Sequence, residues 1–427
     1  MRALYSLSWW LLLPLVLLRL WWRGRQQPGY RRDIGERFGF YRAPVAAQGR
    51  TIWIHAVSVG ETRAAQPLLE SLLAAYPECV ILLTHMTPTG RAAGRDLYAR
   101  HGERVVQSYL PYDTGHMVDR FLDHFQPRIC VLMETEIWPN LIARCSARQV
   151  PVVVANARLS ERSLRRAQRF SGLMREAVRG ITCVAAQTEA DAARIRQLGM
   201  QKVQVTGSIK FDVTPPEHAD TAGGDLRRRF GARPVLLCAS TRDKEETLIL
   251  DALRTQPLQV GAQQALVVIV PRHPQRFERV AQEIAEHGFA MQRRSQLGTD
   301  GVLDDTVQVL LGDSMGEMFT YYAACDLAFI GGSLVPLGGQ NLIEACALGK
   351  PVLIGQHTFN FATISDQAVA AGAAVRVADA RALLEQAAGL LRQDGLRAEM
   401  GAKALEFAKA QRGATVETMR MLEALLD

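Results

Sequence analysis

The chain has 427 residues, 48% of them hydrophobic and 22% charged, with 50 basic against 43 acidic side chains and a formal net charge of +7. This length and composition predict two or three packed domains and exclude a disordered protein, a collagen-like fibre and a polytopic membrane protein. The first 50 residues hold nine arginines and only two acidic residues while the remainder is neutral, so the basic charge is local and is no sign of nucleic-acid binding.

The N-terminal segment is apolar, and an arginine cluster follows it. Residues 4–22 contain only Ser6, Ser8 and Arg19 as polar residues, and as a helix they span about 28 Å, close to the thickness of a bilayer core. This order favours a membrane anchor with the following chain in the cytoplasm and disfavours a cleaved signal peptide. Two alternatives stay open: a buried core helix, and a membrane helix that lies in the interface instead of spanning the bilayer.

From residue 51 onward, short apolar runs rich in β-branched residues alternate with helical stretches. This alternation predicts α/β domains with parallel sheets that are covered on both faces. The predicted strands are 51–58, 79–86, 104–112, 129–136, 150–158, 181–187, 202–207, 234–241, 265–272, 306–314, 327–333, 351–355 and 373–377.

The segment 211–225 has two prolines, two glycines and no periodicity, which predicts an interdomain linker. Two successive doubly wound domains place a ligand cleft between them, so functional residues are expected directly after strands. The predicted organisation is an anchor at 1–25, an N-terminal domain at 26–212, a linker at 213–225, a C-terminal domain at 226–405 and a C-terminal helix at 406–427, for which the N-terminal domain is one place to pack.

Carboxylates follow two strands of the first half. Glu61 falls in the first helical turn of Ser58-Val59-Gly60-Glu61-Thr62, where it is a candidate general base or a residue that complements the helix dipole. Glu134 and Glu136 end another strand, and we expect them to point to opposite faces. Arg158 and Lys210, also at strand ends, are candidate partners in either a structural salt bridge or a catalytic network.

Four turns in the second half indicate a nucleotide site. Pro271-Arg272-His273-Pro274 places cationic groups at a strand end, and two glycine-containing turns follow at 312–317 and 331–333. The turn 338–344 has two glycines that are expected to open a helix and present backbone N–H groups to a phosphate, with Glu344 placed to hold a ribose diol. A plain capped helix is the alternative for any one of these turns, but four in one domain favour the nucleotide site.

Several common sites have no counterpart in the sequence. It contains no P-loop pattern, no early dinucleotide-binding glycine fingerprint, no zinc-protease motif and no histidine pair at metal-binding spacing, so no metal or cofactor is expected. The seven cysteines form no CxxC pair and are expected to be reduced core residues.

The segment 158–180 carries seven arginines against Glu161 and Glu176. A solvated basic helix is one interpretation of this pattern. The other is a face that meets phospholipid or an acidic acceptor, with contacts from Arg158, Arg165, Arg166 and Arg169.

Together these motifs resemble the 3-deoxy-D-manno-octulosonic acid (Kdo) transferases of lipopolysaccharide synthesis, nearly end to end. The resemblance is carried by RDIGERFGFY (32–41), SVGET (58–62), THMTPTG (84–90), LPYD (110–113), METEIWPNL (133–141), ANARLS (155–160), AAQTEAD (185–191), VTGSIKFD (205–212), VPRHPQRF (270–277), GDSMGE (312–317), GGSLVPLGGQNLIEA (331–345) and GQHTFNF (355–361).

The resemblance implies a B-type glycosyltransferase fold with two Rossmann-like domains, CMP-Kdo as donor and the lipid A precursor lipid IVA as acceptor. It implies transfer without a metal, on the cytoplasmic side of the inner membrane, by a protein that contacts phospholipid and no nucleic acid. It assigns the general base to Glu61 and transition-state support to Glu134 and Lys210. It assigns CMP contacts to Pro271, Arg272, Met315, Gly316, Glu317, Asn341, Leu342, Ile343 and Glu344.

The family usually reads GGHNPLE where this chain reads GGQNLIE. Gln340 can donate a neutral hydrogen bond but cannot become cationic, so a role that needs an imidazolium is lost at this position. Two other functions are weighed: a nucleotide-sugar 2-epimerase on the same architecture, which needs no membrane anchor, and a non-catalytic sugar-nucleotide sensor, which has no need for Glu61.

Overall fold

The computed structural model describes residues 1–41, 51–298 and 301–426, and the chain divides into two compact units. The first unit comprises Met1–Asp212 together with Gln411–Asp427, and the second comprises Val213–Ala410.

The sheet of the first unit has seven strands in the order β3-β2-β1-β4-β5-β6-β7, and all neighbouring pairs are parallel. The order changes direction between β1 and β4, so the carboxyl ends of these two neighbours form the topological switch point where ligands of such sheets bind. The strands are β1 (Thr51–His55), β2 (Val80–His85), β3 (Val105–Tyr109), β4 (Pro127–Met133), β5 (Val152–Ala157), β6 (Cys183–Ala186) and β7 (Val203–Val205).

Both faces of this sheet are buried, because Trp53 and Leu132 belong to one apolar cluster while Ile54 and Leu83 belong to another. Helices cover the strands on both sides, as the near-continuous apolar runs predict. They are α1 (Arg2–Gln26), α2 (Val59–Ala64), α3 (Gln66–Ala75), α4 (Pro88–Tyr98), α5 (Gly115–Phe125), α6 (Pro139–Ala147), α7 (Glu161–Arg169), α8 (Ser171–Arg179) and α9 (Glu189–Gln197).

Helix α1 is long and apolar enough to cross a membrane, and only 6% of its most apolar window is buried. It is therefore not a buried core helix. One side contacts the first unit: Ser6 hydrogen-bonds to Asn140, and the Trp9 ring lies 5.6 Å from the ring of Tyr112. The other side leaves large apolar residues such as Leu11 exposed.

The sheet of the second unit also has seven parallel strands, in the order β12-β13-β11-β8-β14-β15-β16. A short antiparallel pair, β9 with β10, lies apart from it. The strands are β8 (Val235–Thr241), β9 (Gln259–Val260), β10 (Gln263–Gln264), β11 (Leu266–Pro271), β12 (Met291–Arg293), β13 (Val309–Leu311), β14 (Leu327–Ile330), β15 (Val352–Ile354) and β16 (Ala374–Arg376).

The prediction of two parallel α/β sheets is confirmed, but the segment predicted as the linker is partly helical. Helix α10 begins at Ala219, within 213–225, because Gly223 serves close helix packing and does not break the chain: a Cβ there would overlap Ala323. The helices of this unit are α10 (Ala219–Phe230), α11 (Glu245–Thr255), α12 (Phe277–Glu286), α13 (Met318–Ala324), α14 (Ile343–Ala347), α15 (Ala362–Ala370), α16 (Ala380–Arg392) and α17 (Asp394–Ala410).

The last helix, α18 (Ala414–Leu426), belongs to the first unit. Its residues Met419 and Leu422 pack in the same apolar cluster as Ile54. The amides of Gly413 and Thr415 donate to the carboxylate of Asp212, so the end of the chain is bonded to the last residue of the first unit's N-terminal stretch.

Candidate active site

Glu61 lies in the first turn of α2, directly after β1. Its carboxylate accepts hydrogen bonds from the Val57 amide (2.7 Å) and the Ser58 hydroxyl (3.1 Å), and Ser58 Oγ in turn accepts from the Glu61 amide. This reciprocal cap fixes the half-buried carboxylate in one orientation. Burial is the largest influence on its pKa, which is raised above the usual value for a glutamate. A carboxylate with a raised pKa is a better proton acceptor than an exposed one.

Glu134 and Lys210 form an ion pair with 2.6 Å between Nζ and Oε1. Glu134 follows β4, the neighbour of β1, so the pair lies at the same edge of the sheet as Glu61. Both charges act on Glu61: that of Glu134 raises its pKa and that of Lys210 lowers it. Arg158 was the other candidate partner. Its backbone contacts this region: the Arg158 amide donates to the Thr135 hydroxyl, and that hydroxyl donates to the Arg158 carbonyl.

The turn that carries Lys210 is fixed by Asn156, a residue outside the sequence motifs. Asn156 in β5 is fully buried and has a left-handed backbone, with φ of 55°. Its Oδ1 accepts hydrogen bonds from the Ser208 hydroxyl and the Ile209 amide, which fixes the short 3-10 turn that carries Lys210. An asparagine inside an apolar strand is the signal that identifies such a residue, because a buried amide needs partners.

Glu136 joins the same cluster, so the expectation that Glu134 and Glu136 point to opposite faces is wrong. Side chains two residues apart in a strand share a face, and here β4 already ends at Met133 and Glu134 takes a left-handed backbone, with φ of 58°. Burial, together with the negative charges of Glu61 and Glu134, raises the pKa of Glu136 to about 7. The first unit therefore holds three interacting carboxylates and one lysine at its switch point.

In the second unit, the predicted donor residues follow three strands. Pro271 ends β11, and the amide of Arg272 bonds to the Thr241 carbonyl at the end of β8. Met315 is exposed in the turn before α13, Gly316 has φ of 82°, and the Glu317 carboxylate pairs with Arg294 at 2.8 Å.

The turn 338–344 differs from its prediction. Helix α14 begins only at Ile343, where Asn341 accepts a hydrogen bond from the Ile343 amide. The Gly339 amide is not presented to a ligand, because it donates to the Gly332 carbonyl at 2.7 Å. The side chains of Leu342 and Ile343 are fully buried, which leaves their backbone as the part that could face a nucleotide.

Two buried glutamates, Glu245 and Glu246, support these turns, and neither belongs to the motifs identified in the sequence. The Glu245 carboxylate accepts from the amides of Gly332 (2.5 Å), Ser333 (3.0 Å) and Leu334 (2.9 Å). Glu246 makes a bidentate pair with Arg276, at 2.7 and 2.8 Å. Both occur in the first turn of α11, where acidic residues are common, so nothing in the local pattern distinguishes them from ordinary dipole-complementing residues.

The arginine-rich segment 158–180 forms two helices, α7 and α8, that meet at Phe170. Arg158, Arg165, Arg166 and Arg169 are all exposed, as is the Phe170 ring. Near them, Arg2 of α1 pairs with Glu176 of α8 at 3.3 Å, so the start of the apolar helix adjoins this basic surface.

Two family profiles match the chain. One, described as 3-deoxy-D-manno-octulosonic-acid transferase (kdotransferase), matches residues 32–213, and one described as glycosyl transferases group 1 matches residues 297–407. Two solved structures share the fold: HepE from Anabaena in complex with UDP (16% identity, 88% of this chain and 99% of that one, TM-score 0.58) and a UDP-GlcNAc 2-epimerase from Neisseria meningitidis bound to UDP-GlcNAc (15%, 88% and 100%, TM-score 0.57). At these identities the likeness concerns the fold alone.

The two seven-stranded parallel sheets and the group 1 match define a glycosyltransferase of the two-domain B type. Two curated relatives specify the family. The 3-deoxy-D-manno-octulosonic acid transferase of Bordetella pertussis is 44% identical over 99% of both chains, and that of Haemophilus influenzae is 36% identical over 97% of this chain and 96% of its own. The chain belongs to the 3-deoxy-D-manno-octulosonic acid (Kdo) transferase family, which confirms the resemblance.

Proposed function

We propose that this Kdo transferase takes Kdo from CMP-Kdo and adds it to lipid IVA, with inversion at the anomeric carbon and without a metal ion. The observation that carries the proposal is the carboxylate of Glu61, fixed by its own turn beside the Glu134–Lys210 pair at the switch point of the first unit. Such an arrangement suits the deprotonation of an acceptor hydroxyl.

In this mechanism Glu61 accepts the proton of a glucosamine hydroxyl of the acceptor. The hydroxyl oxygen forms a bond to the anomeric carbon of Kdo as the bond from that carbon to the phosphate oxygen breaks, and CMP leaves with the electron pair. Lys210, oriented by Glu134, supplies positive charge beside Glu61, which favours the charged form of the base. The Glu134–Lys210 pair thus supports the transition state by tuning this carboxylate.

The donor residues of the second unit are proposed to be Pro271 and Arg272, the turn Met315 to Glu317, and the stretch Asn341 to Glu344. Arg272 would bind the phosphate, since a guanidinium forms strong charge-assisted hydrogen bonds with phosphate oxygens. Glu344 is half-buried in the first turn of α14 and is an acceptor for a ribose diol.

The acceptor is a lipid, and we propose that the protein works at the cytoplasmic face of the inner membrane. Helix α1 offers apolar surface to phospholipid through exposed Leu11 and Leu15. The arginines of α7, close to the start of α1, offer cationic surface. Replacing Leu11 and Leu15 by glutamate should release the protein from vesicles with anionic lipid in a sedimentation assay. Val302→Glu alters an equally exposed apolar residue of the second unit and should leave binding unchanged; retention of the α1 variant would contradict the anchor.

The transfer itself is tested by incubating purified protein with CMP-Kdo, with and without lipid IVA, followed by mass spectrometry of the lipid and measurement of free CMP. We expect lipid that has gained Kdo, and release of CMP that depends on lipid. Conversion of the nucleotide sugar to an isomer without lipid would instead indicate the epimerase alternative. Binding of CMP-Kdo with no product of either kind would indicate a sensor.

A further inference from the structure

The switch point of the second sheet lies at the carboxyl ends of β8 and β14, which are hydrogen-bonded neighbours on which the strand order changes direction. Thr241 ends β8 and is followed by Arg242, while Ile330 ends β14 and is followed by the glycine turn Gly331-Gly332-Ser333. In open α/β sheets ligands bind at this location. Arg242 is therefore placed where a donor would lie, although the motif-based assignments do not include it.

Several backbone amides of this switch point already have partners within the protein. Glu245 accepts from the amides of Gly332, Ser333 and Leu334 and also from that of Arg242, at 2.9 Å. The Gly339 amide of the neighbouring turn donates to the Gly332 carbonyl. These amides are therefore not available to an anion, and the buried negative charge of Glu245 makes a nearby cationic side chain more important for binding one.

Arg242 is the side chain that meets this requirement. A Cβ built on Gly332 would lie 3.4 Å from Arg242 Cγ and 3.4 Å from Gln340 Nε2, so the half-buried arginine stem lies against the glycine turn beside Gln340. In the part of the chain that the structure describes, its guanidinium makes no ion pair, whereas nearby Arg276 is paired with Glu246. An arginine that is partly withdrawn from water without a carboxylate partner is suited to bind an anionic ligand.

Its surroundings are cationic. Burial and then the positive charges of Arg242, Arg272 and Arg276 lower the pKa of His273, which directly follows Arg272. The Arg272 amide is bonded to Thr241, next to Arg242, which places the loops after β8 and β11 side by side. Two arginines at adjacent strand ends offer separate sites for two anionic groups.

We infer that Arg242 binds the carboxylate of the transferred acidic sugar and so determines that the donor must carry one. This rests on the proposed function, in which the donor is CMP-Kdo: that molecule has a phosphodiester and a sugar carboxylate, and Arg272 is assigned to the phosphate. The planar guanidinium matches a carboxylate in a bidentate arrangement, which selects an acidic sugar over a neutral one.

The test compares donors that differ only in this group. For wild-type protein, Arg242→Gln and Arg242→Lys, we would measure the dissociation constants of CMP and the KM for CMP-Kdo and for its carboxamide analogue. Arg242→Gln should raise the KM for CMP-Kdo about tenfold or more, remove the preference over the carboxamide, and leave CMP affinity unchanged. Arg242→Lys keeps the positive charge but cannot bind a carboxylate in the bidentate way of a guanidinium. Its rise in KM and its loss of preference for the acid should therefore be intermediate.

Arg254→Gln is the matched control, because Arg254 is an exposed arginine at the other end of α11. If Arg242→Gln melts at a lower temperature than this control, the conclusion is drawn from Arg242→Lys, by comparing its KM for CMP-Kdo with that for the carboxamide. An equal loss of CMP and CMP-Kdo binding would assign Arg242 to the phosphate and overturn the inference, as would an unchanged preference for the acid. Wild-type protein that neither binds CMP-Kdo nor transfers Kdo would refute the proposed function itself.

Discussion

The switch points of the two sheets are equipped in different ways. In the first unit, Glu61, Glu134 and Glu136 bring negative charge together at the strand ends, with Lys210 as the counter-charge. In the second unit the turn after β14 contains glycines, Glu245 accepts hydrogen bonds from its amides, and Arg242 and Arg272 directly follow β8 and β11. The edge of the first sheet is suited to move a proton, and that of the second sheet is suited to bind an anion. A substitution in the first unit should therefore lower turnover, and one in the second unit should lower donor affinity.

The strongest test of this comparison is Glu61→Gln. Without a base, turnover should fall about 10²-fold or more, while CMP binding to the second unit stays as in wild type. Measurement of kcat together with the CMP dissociation constant separates the two effects. Glu189→Gln is the control, since Glu189 also lies in the first turn of a helix but is 81% exposed. Wild-type turnover in Glu61→Gln would remove this residue from the mechanism.

The converse test is Gly331→Ala. A Cβ at this position would lie 2.6 Å from both the Ser240 carbonyl oxygen and Thr241 Cα, so the strand ends must separate. We expect CMP affinity to fall about tenfold with a lower melting temperature, since donor turn and core packing shift together. Gly389→Ala adds the same methyl group in α16 where no atom lies within 4 Å, and should be neutral or slightly stabilising. Normal CMP binding by Gly331→Ala would show that this turn is not part of the donor site.

A finer test concerns the pH dependence of the first site. The charge of Lys210 lowers the pKa of Glu61 and that of Glu134 raises it. Lys210→Met should therefore move the acidic limb of the kcat/KM profile to higher pH, and Glu134→Gln should move it to lower pH, each by less than about one unit. Shifts in the same direction would show that the limb reports a group other than Glu61.

The smallest expected effect is on stability. Glu136 has a folded-state pKa of about 7, above its unfolded value, so its favourable contribution is present in acid and is lost as the pH rises towards 7. Glutamine resembles the protonated form of Glu136 at every pH. Glu136→Gln should therefore not lose this stability as the pH rises. Thermal unfolding between pH 5 and 8 should show the variant gaining stability relative to wild type as the pH rises. A difference that does not change with pH would mean that Glu136 is already ionised at pH 5.

The parallel sheets were predictable from the sequence, because near-continuous apolar runs such as 129–133 are buried and need cover on both faces of the sheet. The position of Glu61 was predictable for a similar reason, since a strand followed by Ser-x-x-Glu specifies a capped helix.

What the sequence did not indicate depends on contacts between distant residues. Gly223 lies in the segment predicted as a linker, but it lets α10 approach α13. Glu245 was not among the predicted site residues, and its carboxylate accepts from amides almost 90 positions later in the chain. The left-handed backbone of Glu134 is likewise invisible in a one-dimensional pattern, because tertiary bonds such as that from its amide to the Ala155 carbonyl hold it.

The position of α18 has a consequence for biosynthesis. Ala414, Met419 and Leu422 of helix α18 complete the apolar cluster of a unit whose strands all lie before residue 206. During translation, nearly 200 residues of the second unit must emerge before this cluster can be completed, so the part of it that α18 covers stays solvent-exposed on the nascent chain. A premature stop shortly before residue 414 would therefore damage the N-terminal half of the protein and leave the adjacent C-terminal unit nearly whole.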